Sequence, residues 1–279
     1  MSQDHHRPAE FLAIDFGIVI HAWGALGRAL RAMPKLFFSG ALVTALLTYG
    51  AWRLQGAYHG LLAGAPDEFR NGIEFAYTLV VAACDSIVLA GVAVPVHRLV
   101  LLGETGDGIV HLFSGRVWRF AFWLIALQMC GFVALLPLPL LFGATPLETT
   151  VIVAGMIAFL LALTVVAVRL SLVFPAIAID AEAKGRLAAS WALSRHRFWR
   201  LVVTAVFTMV PLLLLMLLAT LAASWLIGLS GSLVSVFDTL MWFEVAVTAL
   251  SRPVGVALAA GVLSWNYTLA QEERAEGRT

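Results

Sequence analysis

A single carboxylate, Asp85, interrupts a long apolar segment of the chain, with Cys84 and Ser86 beside it. Ionisable groups inside a membrane segment are costly and are functional-site candidates by default. Asp85 therefore suggests a proton site, a cation site or an ion pair with Arg252. The alternative is structural: a hydrogen bond between Asp85 and a serine or threonine of a neighbouring helix.

Arg252 precedes Pro253 at the start of another apolar segment. The arginine either faces a polar cavity or extends to the outer membrane interface, as long cationic side chains do. The sequence favours the second interpretation, with Pro253 beginning the helix where proline is tolerated. Asp85 and Arg252 are the two intramembrane polar candidates.

Enzymatic motifs are weak. Ser230, within Gly-Leu-Ser-Gly, resembles the serine of rhomboid-type intramembrane proteases, but such a serine needs a histidine base and the last histidine is His196. The glycine-rich residues 103–108 lack the Lys-Ser/Thr ending of a phosphate loop. No His-Glu-x-x-His or Cys-x-x-Cys occurs. We therefore expect a non-enzymatic protein without catalytic residues, metal or cofactor.

The composition indicates the elements that must position these residues. Hydrophobic residues make up 61% of the chain and charged residues 13%, with a mean hydropathy of +0.92. Soluble domains average about 45–50% apolar and about 25% charged residues. Backbone groups must be satisfied internally in lipid, so the sequence predicts an all-α integral membrane bundle. The net charge of +1 favours no nucleic-acid partner.

Six apolar runs approach the roughly 20 residues that a transmembrane helix needs. A Gly-rich break near Ser230 ends the fifth run, and residues 232–252, which include Asp238 and Glu244, are predicted as an interfacial or re-entrant helix on the outer side. The predicted spans are residues 36–52, 75–96, a run from 120 that fades near Pro137 and Pro139, and residues 149–168, 201–227 and 253–271.

Lysine and arginine set the predicted orientation. With the N-terminus inside, the inner segments hold 15 of the 18 basic residues, which is a strong positive-inside bias. The sequence therefore predicts a multi-pass membrane protein with a cytoplasmic N-terminus. Residues 1–34 form its cytoplasmic N-terminal part, residues 35–271 a single transmembrane domain, and residues 272–279 a cytoplasmic tail.

The N-terminal part contains an amphipathic segment, since apolar residues from Leu12 to Met33 recur at spacings of three and four. We predict a helix lying flat on the inner leaflet. The alternative is a helix packed on the bundle.

Basic residues collect at the predicted inner boundary. We expect them to contact anionic headgroups, at about 1 kcal/mol each near the surface; alternatively they only set the topology. They are Arg28, Arg31, Lys35, Arg116, Arg119, Arg195, Arg197 and Arg200.

A four-residue motif occurs twice at this basic boundary. Arg-x-Trp-Arg occurs at Arg116–Arg119 and again at Arg197–Arg200. It indicates either three repeated helical hairpins, a pattern found in transporters, or only the preference of an inner interface for Arg and Trp.

The stretch from Arg169 to Asp180, Arg-Leu-Ser-Leu-Val-Phe-Pro-Ala-Ile-Ala-Ile-Asp, has a distinctive order. Pro175 is predicted to end the fourth span and Asp180 to cap the next helix. With the following Ser190-Trp and Trp199-Arg pairs, it resembles bacterial inner-membrane proteins related to YciC-like proteins and to the membrane domain of some glycerophosphodiester phosphodiesterases. The resemblance implies a bundle of about six spans in a bacterial inner membrane. Catalysis in that group belongs to a separate soluble domain, so the activity is not transferred.

These observations lead to two functional hypotheses. The first is a non-enzymatic, lipid-contacting scaffold in envelope homeostasis, with membrane lipids and other membrane proteins as partners. The alternative is a small-solute or lipid transporter with Asp85 in its pathway.

Overall fold

The chain is helical in the computed structural model, which describes residues 16–61, 64, 66–105, 113–135, 145–180, 186–195, 197–230 and 233–276. No strand occurs among these residues. The helices are α1 (Phe16–Ala32), α2 (Pro34–Leu61), α3 (Asp67–Leu102), α4 (Gly115–Leu135), α5 (Pro146–Leu170), α6 (Val173–Ala178), α7 (Arg186–Ser194), α8 (Phe198–Ser230) and α9 (Leu233–Ala275).

Five helices among the described residues are long and apolar enough to cross a membrane. The count becomes six if α1 and α2, which meet at 95°, form one bent span. The all-α membrane bundle predicted from the sequence is confirmed. The spanning segments are Gly72–Leu102, Gly115–Val133, Glu148–Leu170, Phe198–Trp225 and Thr239–Ala275.

Local sequence explains where several helices begin and end. Thr145 and Glu148 form a reciprocal capping box at the start of α5, with Pro146 in its first turn. Gly103 ends α3 with a φ of 70°, a left-handed conformation that glycine adopts without steric cost. α8 ends at Ser230, where the glycine-rich break was predicted. Pro95 and Pro253 lie inside α3 and α9 without ending them.

The helices alternate in direction, so that α2, α4 and α8 begin at the end of the bundle where α3, α5 and α9 finish. We call this the basic end, because Arg98, Arg116, Arg119 and Arg197 lie there, and the other the distal end. Buried apolar clusters join the helices toward the basic end. One of them packs Leu26 and Met33 against Val96 and Leu258. The helices are therefore held most tightly near the basic end.

The structure corrects two predictions about the helices. Within the predicted segment 232–252, the described residues 233–252 form no separate interfacial or re-entrant helix, and Pro253 starts no span, because α9 runs unbroken through both. The segment tolerates its charges because Glu244 and Arg252 find partners on neighbouring helices.

The amphipathic segment adopts the second of its two predicted poses. The apolar face of α1 packs on the bundle, with Ile18, Ala22 and Ala29 almost fully buried. Gly261 of α9 permits this close approach, since a Cβ there would lie 3.2 Å from the Ala22 Cα.

Candidate functional site

A cavity of about 680 Å³ opens among the distal halves of the helices. Ligand pockets commonly measure about 300–1,000 Å³, so its size suits a small molecule. Five helices contribute to the wall: Leu47 and Trp52 come from α2, Gln128 from α4 and Leu160 from α5, while α3 and α9 supply the charged side chains. We call this space the distal cavity.

An ion pair between Arg252 and Asp85 borders the distal cavity and joins α9 to α3. The Asp85 side chain is only 14% exposed, whereas the Arg252 side chain is 46% exposed. The structure thus shows the ion pair, which was one of the interpretations open for Asp85. The interpretation in which Arg252 extends to the interface is wrong, because the carboxylate inside the bundle attracts the guanidinium and lowers the cost of keeping both charges there.

A second carboxylate lies on the same face of α9. Glu244 is two helical turns before Arg252, and its Oε2 accepts a hydrogen bond of 3.0 Å from the Trp52 indole Nε1 of α2. Among the described residues, no lysine or arginine forms a salt bridge with Glu244. The charged side chains lining the distal cavity are thus two carboxylates and one guanidinium.

Neutral polar groups complete the wall. Gln128 lines the cavity and its side chain accepts a hydrogen bond of 3.0 Å from Ser86, which lies outside the lining and connects α3 to α4. The Tyr77 hydroxyl donates to the Ala51 carbonyl at 2.7 Å and so connects α3 to α2. Thr48, Thr78 and Thr248 line the cavity without being needed for these connections. The wall therefore combines fixed polar groups with apolar surface.

The same two helices are closed toward the basic end. His97 of α3 is buried, and its Nδ1 lies 2.7 Å from the Ser264 hydroxyl of α9. The His97 ring contacts Phe120, which in turn contacts Phe174 of α6 with a centroid separation of 4.6 Å. The distal cavity is therefore blocked on this side by side chains of α3, α4, α6 and α9.

At the basic end, Asp180 holds two of the predicted headgroup-contacting arginines. Arg116 and Arg119 both form salt bridges with it, the latter at 2.9 Å. Burial raises the pKa of the Asp180 carboxyl, but the hydrogen bonds and charges of the two arginines outweigh this, and the pKa lies below its usual range. The predicted capping of the next helix by Asp180 lies outside the residues that the structure describes, which resume at Arg186 of α7.

Arg197 is the clearest departure from the predicted lipid contacts. Its side chain is 6% exposed, forms a salt bridge with Glu273 and donates a 3.0 Å hydrogen bond to the Leu269 carbonyl. It fastens α8 to α9, so its assignment as a headgroup contact is wrong. Arg200 also has interactions within the protein. The predicted contacts that remain exposed are Arg28, Arg31, Lys35 and Arg195, together with the ion-paired Arg119.

The sequence analysis missed Glu244 and Trp52 as members of a site. A signal existed, since Glu244, Thr248 and Arg252 follow one another at intervals of four and share one face of a continuous helix. The sequence analysis placed these residues in an interfacial or re-entrant helix at the outer side, and so did not assign them to a site within the bundle. Among the described residues, no group of three or more potential metal ligands lies together.

Comparison with protein-family models, curated proteins and solved structures found no match for the chain. The resemblance to the phosphodiesterase membrane domain and to YciC-like proteins therefore stays a prediction.

Proposed function

We propose that this protein is a non-enzymatic transporter that receives a small polar solute in the distal cavity. One observation carries the proposal: the cavity reaches an intramembrane ion pair between α3 and α9, while the same two helices are packed closed toward the basic end. Transporters place their binding sites near the membrane midplane and expose them to one side at a time. The arrangement corresponds to a state open only on the distal side.

The positive-inside bias supports placing the distal end outside a bacterial inner membrane, with the N-terminus in the cytoplasm. In that orientation the solute enters from outside and meets the Asp85–Arg252 pair about halfway across. Release to the inside then requires α3 and α9 to separate near His97 and Ser264. Pro95 and Pro253 interrupt the backbone hydrogen bonding of these two helices and are natural points of bending.

The experiment is a flux measurement in proteoliposomes loaded on one side with a mixture of small polar metabolites. Mass spectrometry identifies any solute whose uptake requires the protein. Asp85→Asn should lower that uptake about tenfold or more, because an unpaired Arg252 changes the floor of the cavity. Glu74→Gln, which removes a carboxylate of α3 outside the cavity lining, is the matched control and should leave uptake unchanged.

The proposal fails if folded protein takes up no solute. It also fails if Asp85→Asn and Arg252→Gln both transport the solute at the rate of the unmodified protein. A correctly folded sample is defined by a single cooperative unfolding transition well above the temperature of the flux measurement.

A second candidate function, the lipid-contacting scaffold, is favoured by four basic side chains that remain exposed toward the basic end: Arg28, Arg31, Lys35 and Arg195. Native mass spectrometry of protein extracted from lipid tests it. Replacing all four with glutamine should remove retained anionic lipids, whereas replacing the outer Arg53 should not. Unchanged lipid retention in the fourfold variant would leave the transporter proposal as the better supported.

A further inference from the structure

We infer that the ligand of the distal cavity carries an organic ammonium group, and that Glu244 and Trp52 bind this group. The inference rests on the proposed function and names its substrate class. It starts from charge: the lining carries two carboxylates and one guanidinium, and Asp85 neutralises the guanidinium. The carboxylate left to attract a ligand is that of Glu244.

The contacts of Glu244 indicate which of its two carboxylate oxygens is available to bind a ligand. The Trp52 indole hydrogen-bonds to Oε2, which orients the carboxylate and leaves Oε1 for another donor or cation. Glu244 is exposed although α9 is a spanning helix, because its side chain borders the cavity. A cation there gains a charge-assisted contact with the carboxylate.

Aromatic side chains favour the same class of ligand. Trp52, Tyr77 and Phe132 line the cavity, and the Trp52 indole contacts Glu244 directly. Tryptophan is the best of the aromatic residues at attracting an ammonium or guanidinium group to its ring. A carboxylate next to a tryptophan is therefore suited to an ammonium ion that has partly lost its water.

The rest of the wall limits the remainder of the ligand. Leu47, Val81 and Leu160 present apolar surface, while Gln128 and Thr248 offer hydrogen bonds. The ligand class is thus a small amphipathic amine or quaternary ammonium compound. An ammonium group can come from a free solute or from the headgroup of an amine-containing lipid, and the experiment separates these sources.

The test measures binding to the full-length protein in nanodiscs of phosphatidylglycerol, a lipid without an amine. Choline is the cationic probe, 3,3-dimethylbutan-1-ol its uncharged isostere and 3,3-dimethylbutanoate the anion of similar shape. We expect choline to bind, with its affinity lowered about tenfold or more by Glu244→Gln. The isostere and the anion should bind at least tenfold more weakly than choline.

Two further variants test the role of the ring. Trp52→Phe keeps an aromatic face and should weaken choline binding about threefold, whereas Trp52→Leu should weaken it about tenfold. Trp225→Leu, at an exposed position on α8 outside the cavity lining, is the matched control and should have no effect. Glu74→Gln serves the same purpose for the carboxylate.

Nanodiscs that also contain phosphatidylethanolamine distinguish the two sources. Displacement of choline by this lipid identifies a headgroup as the natural ligand, while unaffected choline binding identifies a free solute; both results support the inference. Stronger binding of the anion or the isostere overturns the inference but leaves the cavity a solute site. If the protein unfolds at its usual temperature but binds none of the three probes, the inference is overturned. If the flux measurement also fails, the transporter proposal is overturned as well.

Discussion

Asp85 and Arg252 form an ion pair between two helices that are distant in sequence, at a depth where neither charge is stable alone. Removing two charges from water is costly, and their attraction compensates only when both are present. The partial exposure of Arg252 to the cavity lowers that cost. Each member of the pair therefore keeps the other from being an uncompensated charge inside the bundle.

Single and double variants should separate these contributions. Asp85→Asn and Arg252→Gln should each lower the free energy of unfolding by about 1–3 kcal/mol, less than the roughly 3–5 kcal/mol of a fully buried pair because Arg252 is half exposed. The double variant should recover part of the loss, since neither charge is left alone. Thermal unfolding in the same lipid or detergent measures this. Additive losses would show that the two side chains do not interact.

Asp180 should give the protein a measurable sensitivity to acid. Its pKa is lowered in the folded protein, so the stabilisation is complete above the unfolded value of about 3.9 and is lost as the pH falls through the folded value. Asp180→Asn should cost about 0.5–1 kcal/mol at pH 7, the range of exposed salt bridges, and progressively less below pH 4. Asparagine also tolerates the left-handed backbone of this position, where φ is 53°.

The measurement for Asp180 is the difference in unfolding midpoint between the two proteins from pH 7 to pH 3. Glu74→Gln is the control, since it removes an acid outside the Asp180 cluster. A difference for Asp180→Asn that stays constant across this range would contradict the assignment.

At the scale of the elements, hydropathy predicted α3, α4, α5 and α8 closely, because uninterrupted apolar runs have no other stable form in lipid. Hydropathy did not predict α9 as one continuous helix, because a charged residue lowers the hydropathy of its segment even when the charge has a partner on another helix. Glu244 and Arg252 have partners on α2 and α3, which the sequence of α9 alone does not reveal. For α1, helical periodicity predicted an apolar face but does not distinguish lipid from protein as the surface that covers it.

The packing of α1 on α9 should depend on Gly261. A side chain there meets the backbone of Ala22, which cannot move aside as a flexible side-chain end would. Gly261→Val should therefore lower the free energy of unfolding by about 1–3 kcal/mol, as overpacking typically does. Gly155→Val, on an exposed face of α5 with nothing within 4 Å, should be neutral or slightly stabilising. Equal unfolding midpoints for the two variants would show that the close approach of α1 is not required.

Among the spanning helices, burial is concentrated in two. In an apolar stretch of 18 residues, 44% of the residues are buried in α3 and in α9, whereas none is buried in α5. α3 and α9 therefore form a central pair, which the other helices surround to different extents. This ranking could not be derived from hydropathy, because α5 is the most apolar span and also the least buried. The distal cavity and the basic-end contacts both lie along the central pair.

Thiol labelling tests this arrangement and its orientation together. In a Cys84→Ser, Cys130→Ser background, Glu244→Cys should react rapidly with a membrane-impermeant maleimide added outside the cell. Ser264→Cys, at a fully buried position of the same helix, should react at least tenfold more slowly from either side. Labelling of Glu244→Cys only from the cytoplasmic side would reverse the proposed orientation.

The separation of Asp85 and Arg252 in sequence also affects the biogenesis of the protein. The ribosome completes α3 well before it makes α9, so Asp85 enters the bilayer without its partner. An aspartate at the centre of a membrane helix costs about 2.5–3.5 kcal/mol on insertion scales. We expect nascent chains arrested before α9 to keep α3 associated with the insertion machinery, as crosslinking can detect, and Asp85→Leu to shorten that association. Translation of α9 would then be the step that commits the earlier helix to the membrane.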